Sequence, residues 1–251
     1  MSVIYSPKGK AREYSELACN LYSGCSHKCK YCYCPSIRRM SLEKWSLNPK
    51  PRENIIKKLA NEAGKLYGLD KDILFCFMSD PYQSEESAMI TNKALTICQK
   101  NHFKKVQVLT KGGMRAVGDL ELFKNNEQWK FGSTIIFKDE KLREYWEPGA
   151  PSIENRYEAV KIFKKNNVFT WISMEPVIDP DQALAVITDL LPYVDLWKIG
   201  KINYFRKIED KIDWCKFLKD VKKILKGKNY YIKKDLLRYE NGYNPKNKKK
   251  N

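Results

Sequence analysis

Two histidines in a chain of 251 residues leave little material for the histidine-rich metal and acid–base sites of many enzymes. A Cys2His2 finger would consume both His27 and His102. No second C-x2-C knuckle is present to complete the paired clasp of a structural zinc site. No apolar run approaches the roughly 20 residues that cross a bilayer, and Met1 to Lys10 lacks the apolar core of a signal peptide. A cytoplasmic protein is therefore expected. Glycine (12) and proline (11) are sparse and nowhere dense enough to mark a linker, and no internal repeat divides the chain. The expectation is one domain over residues 1–240, followed by a basic, disordered tail over residues 241–251.

What is present argues for a folded protein that handles a polyanion. Hydrophobic residues make up 43% of the chain, with 15 Tyr, 10 Phe and 6 Trp, enough to build a sizeable core. The net charge is +17, of which the tail contributes four, so +13 remains on the body. A surplus that survives removal of the tail suits a nucleic-acid partner. Arg38, Arg39, Lys201, Arg206 and the tail lysines are the candidate phosphate contacts. Eight cysteines fit a reducing compartment, where thiols serve metals more often than disulfides.

The cysteines are unevenly placed. Within Asn20 to Pro35, NLYSGCSHKCKYCYCP, Cys25, Cys29 and Cys32 stand in a C-x3-C-x2-C spacing. A loop of that length can give one thiolate to each of three irons of an iron–sulfur cube and leave the fourth iron without a protein ligand. Cys34 and Cys19 are also near, so four thiolates closing a tetrahedral zinc site in a non-catalytic nucleic-acid-binding module is the alternative. Cys76, Cys98 and Cys215 are single and far apart.

Apolar periodicity predicts strands at Glu16–Ser23, Asp72–Ser79, Lys105–Thr110, Lys130–Phe137, Val168–Met174, Asp195–Ile199 and Asn229–Lys233. Helices are expected at Arg52–Tyr67, Glu86–Asn101, Met114–Lys124, Ile153–Asn166, Asp181–Leu191 and Ile212–Leu225, with a short one between Ile37 and Pro51. Strict alternation of the two predicts a parallel α/β sheet with right-handed crossovers. Six or so units are too few for the usual closed eight-stranded barrel. In such folds ligands gather at the carboxyl ends of strands.

The cysteine triad followed by Tyr33 resembles the cluster loop of radical S-adenosylmethionine (radical SAM) enzymes. Other segments resemble its spore photoproduct lyase and DNA-repair-photolyase-like branch. These are Ser79-Asp80-Pro81-Tyr82-Gln83 with Glu86, Thr110-Lys111, Gly132-Ser133-Thr134, Glu147-Pro148-Gly149-Ala150-Pro151-Ser152 with Arg156, and Glu175-Pro176. Together they span Asn20 to about Pro180, in order.

The resemblance implies a partial (β/α)6 barrel with helices outside and a [4Fe-4S] cluster on Cys25, Cys29 and Cys32. It also implies S-adenosylmethionine chelated to the open iron, and an electron donor such as flavodoxin or ferredoxin. By the same resemblance Lys111 pairs with the cosubstrate carboxylate, Ser133 hydrogen-bonds to it, and Ser79 and Asp80 meet its amino group; Glu175 joins the same set. Tyr33 packs against the adenosine, and Tyr31 with Tyr33 corresponds to a hydrogen-transfer relay. Glu147 and Arg156 read as an internal ion pair.

One departure stands out. The lyase places a hydrogen-donor cysteine on its second strand, where this chain has Phe77; Cys76 is one residue away and faces the opposite side of a strand. The functions that follow are a radical SAM enzyme acting on nucleic acid, such as a damaged or modified base as in a DNA-repair lyase, or one acting on a peptide or small molecule.

Overall fold

The structure is a computed structural model that describes residues 2–241; the expected tail falls, but for Asn241, outside these residues. Ten strands form: β1 (Ile4–Tyr5), β2 (Leu17–Cys19), β3 (Tyr22–Ser23), β4 (Lys50–Pro51), β5 (Ile73–Phe75), β6 (Val106–Thr110), β7 (Lys130–Thr134), β8 (Phe169–Val177), β9 (Leu196–Lys201) and β10 (Tyr230–Ile232). Eight of them make one sheet in the order β1-β2-β5-β6-β7-β8-β9-β10. Every neighbouring pair from β2 to β10 is parallel, and β1 pairs antiparallel with β2. The fold is the expected parallel α/β arc, and its seven parallel strands correspond to the seven read from the sequence. β3 and β4 form a separate antiparallel ribbon.

The central strands are covered on both faces, one predominantly apolar and the other carrying Gln107, Ser173 and Lys198 as buried polar residues. Ile73, Leu74, Phe75, Val106, Val108, Phe131, Ile172 and Ile199 are all without solvent exposure. Helices α1 (Cys34–Ile37), α2 (Leu42–Leu47) and α3 (Ile55–Lys65) follow the β3 ribbon and its loop. Next come α4 (Glu85–Lys100), α5 (Leu120–Lys124), α6 (Glu140–Trp146), α7 (Ile153–Lys165), α8 (Pro180–Leu190), α9 (Arg206–Glu209), α10 (Trp214–Ile224) and α11 (Lys234–Leu237). Each long helix turns a stripe of one face to the sheet, as Ile55, Leu59 and Ala63 do on α3. Ser84 closes the start of α4 with a capping box to Ser87.

Three expected boundaries are corrected. The strand predicted over Glu16–Ser23 divides at Asn20, whose Oδ1 accepts the amides of Phe77 (2.8 Å) and Met78 (2.9 Å). The same bonds end β5 at Phe75 rather than Ser79, because those amides are taken from the ladder. β8 runs on to Val177, with an irregular register against β9 between Met174 and Val177, so Glu175-Pro176 lies within the strand and not beyond it. Among the described residues no helix is long and apolar enough to cross a membrane.

Candidate active site

The cysteine loop leaves β3 through Gly24, whose φ of +92° and whose closeness to the Trp45 carbonyl oxygen (2.7 Å from a built Cβ) exclude any side chain. It then carries Cys25 and Cys32, half-buried, and Cys29, buried. Burial pushes the Cys25 thiol well above the usual range, and the charges of Asp80 and Cys29 push it further. Burial raises Cys29 to about 12 even though the Lys111 ammonium pulls the other way. Cys32 is drawn down, chiefly by a hydrogen bond from Cys34. Thiols gathered where their anions are costly need a cationic ligand to ionise together, and metal binding would release their protons.

Of the competing donors, Cys19 and His27 are committed elsewhere, whereas Cys34 lies beside the triad. Cys19 is buried beside Cys76 and Cys98 in the core, away from the loop triad. His27 Nε2 lies 3.1 Å from Asp80 Oδ2 and its Nδ1 3.2 Å from the Gly149 carbonyl. Cys34 is turned to Cys32 and, at 3.9 Å, to the Phe77 carbonyl. Among the described residues no three Cys, His, Asp or Glu side chains converge on a single ion. The donor set, three thiols on one short loop, suits a cube bound at three corners.

Asp80 joins this loop to the strand ends. Its Oδ1 accepts from the Tyr82 amide (2.8 Å) and the Thr110 hydroxyl (2.5 Å), and its Oδ2 from the Lys111 amide (2.6 Å) with His27 alongside. Burial alone would raise this carboxyl, but the His27 charge and the hydrogen bonds outweigh it and hold the group well below the usual carboxylate range. All its acceptor positions are used within the protein, so Asp80 acts as a brace.

Glu147, after α6, is fully buried and is bound by Arg156 Nη1 at 2.5 Å and by the Tyr31 hydroxyl. Arg156 also donates to the Thr134 (3.2 Å) and Pro151 (3.0 Å) carbonyls. The adjoining backbone seizes the cysteine loop, with Gly149 N on His27 O (2.9 Å) and Lys30 N on Trp146 O (2.9 Å). Lys111 points into the same space. Its ammonium sits 5.6 Å from the Tyr31 ring centroid, feels the Cys29 and Glu147 charges, and makes no ion pair among the described residues. A buried cation with no ion-pair contact, close enough to act on Cys29 and Cys32, is a place for an anionic ligand.

The other predicted side chains are placed as follows. Ser79 Oγ is buried beside the Cys76 thiol, with no nitrogen or oxygen partner. Ser133 is buried and donates to the Thr110 carbonyl at 3.3 Å. Tyr33 is 45% exposed at the mouth, with its hydroxyl on the Phe77 carbonyl (3.1 Å). Glu175 accepts from Tyr14 (2.5 Å) and pairs with Lys233 (3.1 Å), its side chain lying on Gly200, where a Cβ would stand 2.7 Å from Glu175 Cδ. The Phe77 ring meets Tyr14 with centroids 6.0 Å apart, whereas the Cys76 thiol accepts the Leu21 amide at 3.5 Å. These neighbouring side chains therefore meet different parts of the fold.

The expectation that Lys201 contacts phosphate is corrected: Lys201 is buried and its ammonium is paired with Glu209. Arg38, Arg39 and Arg206 are exposed. Sequence reasoning missed Tyr14, Lys198 and Lys233, which line the inside of the arc. Lys198 carried a signal, a lysine inside the apolar run Leu196–Ile199. Tyr14 and Lys233 carried none.

Comparison with known proteins agrees with this geometry. The sequence model of the radical SAM superfamily matches residues 19–185. An uncharacterized protein of Methanocaldococcus jannaschii is 27% identical over 190 residues, covering 73% of this chain and 69% of that one. Among solved structures, spore photoproduct lyase with a dinucleoside spore photoproduct superposes with a TM-score of 0.69 at 13% identity, over 91% of this chain and 79% of that chain. Streptococcus suis SuiB bound to S-adenosylmethionine gives 0.62 at 13% identity, over 86% of this chain. The chain spans 49% of SuiB's length.

Proposed function

Because the chain belongs to the radical SAM superfamily, whose enzymes use a [4Fe-4S] cluster and S-adenosylmethionine, we propose that Cys25, Cys29 and Cys32 hold the cluster of an enzyme that modifies nucleic acid. When bound, cluster and cosubstrate together supply reductive cleavage of the sulfonium bond to a 5'-deoxyadenosyl radical. The protein's share is to bind, orient and keep water away. Lys111 is assigned the cosubstrate carboxylate and the Ser79 hydroxyl, beside the Cys76 thiol, its amino group. Tyr33, half open at the mouth, is assigned the adenosine face. Tyr31, with its hydroxyl on Glu147, braces the loop and is the weaker relay candidate of the two tyrosines. Asp80, Ser133 and Glu175 support these groups from behind, since their polar atoms are engaged within the protein.

The observation that carries this reading is the three-thiol loop near a buried lysine that forms no ion pair among the described residues. The nucleic-acid substrate is supported by the net charge of +17 and by the exposed Arg38 and Arg39 that follow the cysteine loop. A reductant such as flavodoxin or ferredoxin belongs to the proposal.

Anaerobic reconstitution tests it. The protein is expected to take up about four irons per chain and, with dithionite and S-adenosylmethionine, to form 5'-deoxyadenosine; Cys29→Ala should form none. Lys111→Ala should weaken cosubstrate binding about ten- to hundredfold, the value of a lost charged hydrogen bond. A colourless zinc protein, or product formation by the Cys29 variant, would remove the cluster assignment. Unchanged cosubstrate affinity in the Lys111 variant would remove that of the lysine.

A further inference from the structure

From Tyr31 in the cysteine loop a row of aromatic rings runs outward along the mouth of the arc. Tyr31 faces Trp146 with centroids 6.5 Å apart; Trp146 meets Tyr145 at 5.3 Å and Phe205 at 6.0 Å. These residues come from three separate segments, the cysteine loop, α6 and the stretch after β9, so tertiary packing assembles the row. Its outer members are open to solvent: Tyr145 is 57% exposed and Tyr204, next to Phe205, is 88% exposed. Tyr204 also holds a left-handed backbone with φ of 69°, a costly conformation for an aromatic residue.

The charge along the cysteine loop and beside the row is predominantly positive. From Cys25 to Leu42 there is no Asp or Glu, while Lys28, Lys30, Arg38 and Arg39 are all exposed. The Lys30 ammonium lies 3.2 Å from the Tyr145 ring centroid. Arg206 and Lys207 follow Phe205 and are exposed too. The carboxylates nearby are paired, Glu140 and the 64% exposed Glu144 with Arg143 and Glu209 with Lys201. Exposed rings that present π faces, flanked by unpaired cations, are what a sequence-tolerant single-strand site requires.

We propose that this aromatic and basic rim binds a single-stranded stretch of nucleic acid, stacking bases on Tyr204 and Tyr145 and setting phosphates on Arg38 and Arg39. The strand is thereby led to the mouth beside Tyr33. This deepens the nucleic-acid reading above and rests on it. A base inside a duplex cannot offer its face to these rings, so the preferred substrate presents unpaired bases. A peptide, by contrast, has no run of phosphates to match four cations without a carboxylate among them.

The test is fluorescence anisotropy with the reconstituted full chain, a labelled oligonucleotide of about 15 nucleotides and the duplex of the same sequence. Tighter binding of the single strand is expected. Tyr204→Ala and Tyr145→Ala should each weaken it about fivefold or more, and Tyr204→Phe should retain it, because stacking needs the ring. Tyr67→Ala serves as control, since Tyr67 is 67% exposed and stacks with His102 away from this row; it should change nothing. Replacing Arg38 and Arg39 together by Gln should lower the slope of log affinity against log salt by about 1.4.

The proposal is overturned if duplex binds as well as single strand. It is overturned equally if Tyr204→Ala and Tyr145→Ala bind like the parent, or if neither nucleic acid binds at low salt while a peptide does. Failure of 5'-deoxyadenosine formation in the parent protein is a separate result that strikes the cofactor assignment and leaves the binding comparison readable.

Discussion

Asp80 illustrates how a residue beside a reactive site can matter without touching the reaction. Its two oxygens collect the Tyr82 and Lys111 amides, the Thr110 hydroxyl and His27, four groups from three different chain segments. Asp80→Asn would keep the shape, remove the charge facing His27, and turn an amide N–H₂ toward a donor. A destabilisation of about 3–5 kcal/mol is expected, the range for breaking one side of a buried ion pair, read from the urea midpoint. Because the folded carboxyl is held below its unfolded value, its contribution is complete above the unfolded pKa of about 3.9 and fades as pH falls through the folded one. Wild type should therefore lose stability relative to Asp80→Asn on acidification below about pH 4. A gap between the two that stays constant down to pH 2 or so would show that the carboxyl is not held as described.

At the level of elements, β9 places a charge where its neighbours are apolar. Lys198 is 8% exposed, lies 5.0 Å from the ring centroids of both Tyr14 and Trp171, and donates to the Tyr14 carbonyl at 2.9 Å. Burial, with the charges of Lys130 and Lys233, lowers its pKa to about 8, against the pull of Asp72 and Glu13. A lysine depressed in the folded state holds fewer protons than the unfolded chain between about pH 8 and 10.4, so its effect on stability improves with pH across that window. Lys198→Met is expected to be about 1–2 kcal/mol more stable than wild type at pH 7, after the lost hydrogen bond is counted. The difference should shrink toward pH 10, and a difference that ignores pH would mean that Lys198 does not titrate there.

The same scale shows what the sequence could reveal. Short runs rich in β-branched and aromatic residues located β6, β7 and β9 to within three residues at each end, even though Gln107, Lys130 and Lys198 break their apolar sequence. β5 was read too long because the Asn20 side chain, more than fifty positions away, takes the amides that would have extended it. α6 escaped because seven residues give no clear period. The residues proposed for the cosubstrate, Ser79 and Lys111 among them, were picked out by their position after strands. Tyr14 and Lys233 were not, as the pair is made between opposite ends of the chain.

Those two ends meet for a reason that only the whole molecule supplies. The sheet order leaves β2, with β1 outside it, at one end and β10 at the other, and the stretch from Gly9 to Glu16 crosses between them. On the β10 side Glu13 accepts from the Tyr231 hydroxyl (2.8 Å) and the Lys234 amide (3.1 Å), while Lys10 pairs with Asp235 at 2.5 Å. On the other side the Asp72 carbonyl receives the Ser15 hydroxyl (2.7 Å) and the Leu17 amide (2.9 Å). Between these anchors Tyr14 turns inward, its carbonyl bound by Gln107 (3.0 Å) and its hydroxyl by Glu175 and Ser173. The crossing segment thus walls the open flank of the arc and completes the chamber below the cysteine loop. Its stability depends on a few polar anchors and one buried ring, so it should open locally at lower cost than the sheet. Glu13→Ala removes the acceptor of two of those anchors, each worth about 1–3 kcal/mol where a carboxylate is involved. Amide exchange over residues 9–16 should then quicken about tenfold or more, while α3 and α4, which do not touch the segment's anchors, keep their protection. Equal acceleration throughout would mean that the segment opens only with global unfolding, and the flank would then be a fixed part of the sheet rather than a wall laid across it.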